Sequence, residues 1–77
     1  MKIITNTLGV GNYKHINYED ANTVVVVNAK NPTIGLLRIE EGEDEDEAVK
    51  SYLAQITLGC NYHYEIVKKI GNTYFCN

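Results

Sequence analysis

The spacing of apolar side chains changes along the chain, and each spacing predicts an element. Lys2–Leu8 sets Ile3 and Ile4 among two threonines and reads as a first strand. Gly9-Val10-Gly11-Asn12 predicts a turn, because glycine and asparagine tolerate positive φ. Tyr13–Tyr18 then alternates, short and polar enough for an edge strand, and Glu19-Asp20-Ala21-Asn22 turns the chain again. Thr23–Ala29 is the strongest strand. Its consecutive valines are stiff at χ1 and apolar on both faces, which places it centrally in a sheet. Lys30-Asn31-Pro32-Thr33 predicts a turn with φ fixed by proline, and Ile34–Glu40 returns as a partner strand. Within it Gly35 marks either a bulge or a close approach to the backbone.

The period then becomes helical. Val49, Tyr52, Leu53 and Ile56 follow i, i+3, i+4, i+7 spacing, one apolar stripe on a helix over about 45–58. Asp44 stands at the N-cap with Glu47 three residues on, a capping-box arrangement, and Asp46 and Lys50 are spaced as an i,i+4 pair. Gly59 is placed to close the last turn. Alternation resumes over Asn61–Ile70, with Tyr62, Tyr64, Ile66, Lys68 and Ile70 expected on one face. Gly71-Asn72 signals a two-residue hairpin into Thr73–Cys76. The sum is an α+β fold: a small, mostly antiparallel sheet of about five or six strands with one amphipathic helix on one face. With 77 residues and no linker, tail or repeat, residues 1–77 are expected to form a single domain.

Composition narrows the class. Leu, Ile, Val and Phe make up 21 of the 77 residues, enough for a core and above the level of disordered chains. No apolar run approaches a membrane span, and Met1–Asn6 has no apolar signal region, so a cytoplasmic protein with no membrane contact is expected. Two cysteines, Cys60 and Cys76, are too few for a disulfide scaffold and read as free thiols. Cys60 and His63 have the spacing of one zinc-ligand pair, but His15 and Cys76 supply no second pair, so no metal is expected. The same residues lack the orienting group and oxyanion donors that a Cys–His nucleophile needs. Gly9-Val10-Gly11 has lysine where a phosphate loop has its third glycine, and a strand rather than a helix follows. No cofactor site emerges, and the chain does not read as an enzyme.

Charge changes the picture most. The net charge is −3, yet seven of the ten acids (Glu40, Glu41, Glu43, Asp44, Glu45, Asp46 and Glu47) fall within eight residues. That block carries −7, which leaves +4 for the remainder. Helix capping and the macrodipole account for Asp44 to Glu47. They leave Glu40, Glu41 and Glu43 as a surplus that repels itself unless something basic neutralises it. Calcium is disfavoured, because the D-x-[DN]-x-[DN]-G order is absent and Gly42 precedes most of the acids. A Lys/Arg-rich surface on a partner protein is another neutraliser and makes the block the expected partner-binding site, the alternative being a solvated, charged helix cap that keeps a small domain soluble. A second candidate face is aromatic: Tyr13, Tyr18, Tyr62 and Tyr64, with Tyr74, Lys14, Lys68 and Lys69, would suit single-stranded nucleic acid or a small ligand. Arginine occurs once, at Arg38, so direct nucleic-acid binding is the weaker reading.

The acidic Glu40–Glu47 run at a strand–helix junction resembles, at the level of a class, the small acidic inhibitors that phages direct against host defence, of the anti-CRISPR and DNA-mimic type. Short length and a composition rich in residues with AT-rich codons strengthen the likeness. The resemblance implies a non-enzymatic inhibitor, phage or mobile-element encoded and acting in the host cytoplasm. It would block a nucleic-acid-binding host enzyme such as a CRISPR effector. The chain departs from dedicated mimics in confining its acids to one block, which implies a local plug rather than an imitation of a duplex. A small oligomerisation domain is a further alternative, and the chain is expected as monomer or homodimer.

Overall fold

Branched residues that favour extended backbone build the middle of the molecule. The computed structural model describes residues 1–9, 20–28, 33–57 and 63–77. Within them run β1 (Lys2–Gly9), β2 (Thr23–Val27), β3 (Thr33–Arg38), α1 (Glu45–Ile56), β4 (Ile66–Ile70) and β5 (Thr73–Cys76). The strands form one sheet in the order β1-β3-β2-β5-β4, so the valine strand is central, as its two-sided apolar pattern predicts. β1 with β3, β2 with β3 and β4 with β5 pair antiparallel. β2 and β5 pair in parallel, which the long return through β3, α1 and β4 makes possible. The architecture is the expected α+β one. The expected turn residues 10–12 and 30–32, the Tyr13–Tyr18 edge strand, Gly59 and Cys60 lie outside the described residues.

Alternation in β2 and β3 divides the apolar side chains between two faces. Val25, Val27, Leu37 and Ile39 join Ala48, Val49, Tyr52 and Leu53 of α1, with Tyr74 and Cys76, in the main core. Val24, Ile34 and Leu36 form a smaller buried cluster on the other face. The helical stripe sits where its spacing predicts, with Ile56 at the half-buried margin. The β1–β3 register shifts opposite Gly35, where Thr5 pairs with Leu36 and Leu8 with Ile34, and Gly35 is also a close approach. A Cβ built there would lie 2.0 Å from the Tyr52 hydroxyl oxygen and 2.4 Å from its ring carbon. Tyr52 is fully buried, so its ring would have to shift within the core to admit a side chain at position 35.

Several details differ from the sequence reading. The helix ends at Ile56 with Thr57 as its C-cap, whose N–H and hydroxyl both donate to the Leu53 carbonyl, at 3.2 and 2.9 Å, and the expected last residue, Leu58, lies outside the described residues. Lys50 pairs with Glu47 at 3.7 Å rather than with Asp46. The last long strand starts at Ile66, with residues 63–65 outside it although Glu65 and Asn77 exchange backbone hydrogen bonds at 3.1 and 3.0 Å, and residues 61–62 of the expected strand lie outside the described residues. A register shift between Ile66 and Lys68 also breaks its alternation. Ile66 faces the main core, whereas Lys68 pairs with Phe75 on the opposite face. A period-2 pattern assumes an unbroken ladder, and one extra residue reverses every side chain beyond it. The Gly71-Asn72 hairpin forms as predicted, with Gly71 at φ +60.

Candidate functional site

The acids lie on two short, rigid pieces of backbone. Residues 40–43 make a tight turn in which the Glu43 N–H donates to the Glu40 carbonyl at 3.1 Å. The Glu43 carboxylate closes the turn from the other side, accepting the Glu40 N–H at 3.0 Å. Gly42 supplies the left-handed residue, at φ +92. The chain then enters α1 through Asp44, whose side chain accepts the Glu47 N–H at 3.0 Å in the expected N-cap. Glu45, Asp46 and Glu47 occupy the first helical turn, where the helix dipole favours anions.

Four of the seven carboxylates are committed to holding the fold. Asp44 caps the helix. Glu43 accepts the α-ammonium of Met1 at 2.6 and 2.7 Å, which joins the start of β1 to the turn before α1. This ion pair, with the Glu40 N–H, holds the Glu43 carboxyl below the ordinary value of 4.5. Glu45 accepts the Lys69 ammonium and lies 3.1 Å from the Tyr74 hydroxyl. The same hydroxyl is 3.1 Å from Asp46, so one proton is shared between two carboxylates. Lys69 and Tyr74 therefore draw the Glu45 pKa down, and Glu45 draws that of Lys69 up. Burial, together with the hydrogen bonds to Asp46 and Glu45, raises the Tyr74 phenol to about 12. The Lys69 ammonium also sits 5.2 Å from the centre of the Tyr74 ring.

The other three acids are only loosely held. Glu40 meets Arg38 at 3.0 Å with both side chains well exposed, and Glu47 meets Lys50 across the exposed helix surface. Such pairs contribute little in water. Glu41 is exposed and pairs with none of the described residues. A depression of about 460 Å³ borders this corner, lined by Met1, Glu43, Asp44, Glu47, Ser51 and Gln55 among others. Despite their number, the acids do not converge: among the described residues no group of three His, Cys, Asp or Glu side chains is arranged to hold a metal ion.

The aromatic face fares differently. Tyr13, Tyr18 and Tyr62 lie outside the described residues. Tyr64 is half-buried and packs against the main core. Tyr74 is 1 % exposed, so its ring is not available for stacking on a base. Its hydrogen bonds to the acidic block, and the ion pairs that Lys69 and Met1 make with it, carry no local sequence signal, since the partners are separated by 24 to 42 residues. Cys76 is a free, buried thiol whose pKa burial pushes up to about 11, the inert condition expected of a core cysteine. No helix among the described residues is long and apolar enough to cross a membrane. No family model matches the sequence, and neither does any curated protein or solved structure.

Proposed function

We propose that the protein is a non-enzymatic binding module that docks its acidic corner on a Lys/Arg-rich surface of a partner protein. The observation that carries the reading is the division of the acids. Asp44, Glu43, Glu45 and Asp46 fasten the turn and helix in place, while Glu40, Glu41 and Glu47 project from that frame with weak partners or none. A well-held backbone that presents weakly paired carboxylates at one corner offers a basic surface an available counter-charge, giving fast and salt-sensitive association. The depression of about 460 Å³ beside Glu43, Asp44 and Glu47 has carboxylates in its lining, which favours a basic group there.

The class resemblance extends the proposal: the partner is a nucleic-acid-binding host enzyme, such as a CRISPR effector, and docking blocks its nucleic-acid groove. The test is affinity capture with the immobilised protein from a host lysate cleared of nucleic acid, followed by elution with DNA and, separately, with salt. The reading expects a basic protein released by either. A captured protein that duplex and single-stranded DNA both fail to displace would overturn the proposed mode of inhibition.

A further inference from the structure

We draw no further inference here: the strongest candidate, the cleft between α1 and residues 63–66 lined by Lys50, Leu53, Ala54, Tyr64, Glu65 and Ile66, brings opposite charges together and holds, among the described residues, no buried side-chain polar atom without a partner, so nothing in the structure shows what covers it.

Discussion

Asp44 and Glu41 belong to the same run of acids, yet they do different work. Asp44 satisfies an N–H at the start of α1, and its replacement by alanine is expected to cost about 0.5–2 kcal/mol. Glu41 touches no described partner, so Glu41→Gln should leave stability within about 0.5 kcal/mol. Thermal unfolding of the two variants side by side checks the distinction. Tyr74 tests the buried side of the same corner. Tyr74→Phe keeps the packed ring and removes the proton shared by Glu45 and Asp46, which predicts a loss of about 1–3 kcal/mol in denaturant unfolding. An unchanged midpoint would mean that water serves those carboxylates equally well.

Among the elements, β3 and α1 fit closely at Gly35. Gly35→Ala would drive a methyl group into the Tyr52 ring, and overpacking of this kind costs about 1–3 kcal/mol or more. The double variant Gly35→Ala/Tyr52→Leu should be less destabilised than the sum of its single variants, because the smaller side chain vacates the space. Additive losses in that cycle would show that the contact is not what limits position 35. The sequence makes such local features legible: the valine strand, the apolar stripe, the Asp44 cap and the Gly71-Asn72 turn each depend on a few neighbouring residues. Contacts between distant residues are not legible in the same way. Asn22 is one case, its side chain bonding the Ile39 N–H at 2.9 Å and carbonyl at 2.7 Å, which adds a rung beyond the end of the β2–β3 ladder. The register shift in β4 is another, since nothing in Ile66-Val67-Lys68 separates a bulge from plain alternation. The candidate site divides along the same line. Its acids were visible as a run, whereas the choice of which are structural was made by Met1, Lys69 and Tyr74 from far along the chain.

For the whole molecule, these couplings predict a plateau of stability with two edges. Burial raises Tyr52 to about 12 and is the largest cause raising Tyr74 to about 12, from 10.0, and it lifts Cys76 to about 11 from 9.0. Groups raised in the folded state stabilise fully below their unfolded values, and that contribution is lost as pH climbs through the folded ones. Unfolding should therefore become progressively easier from about pH 9 to about pH 12, with the raised Lys69 adding to the loss. Glu43 and Glu45 are lowered from 4.5, so their contribution is present above that pH and disappears as acid protonates the folded carboxylates. Melting temperatures measured across pH should show both edges, and a curve flat into strong alkali would contradict the packing assigned to Tyr52 and Tyr74. On the surface, Val67 and Ile70 are 62 % and 60 % exposed on β4, an edge of the sheet among the described residues. Lys68 and Lys69 beside them, together with the register shift, are devices that keep an edge from recruiting another strand. The docking proposal thus rests on the acidic corner. Its most direct test is partner capture with the triple variant Glu40→Gln/Glu41→Gln/Glu47→Gln, its fold verified by circular dichroism. Loss of capture with an unchanged melting temperature is the predicted result. Capture equal to that of the unaltered chain would contradict the account.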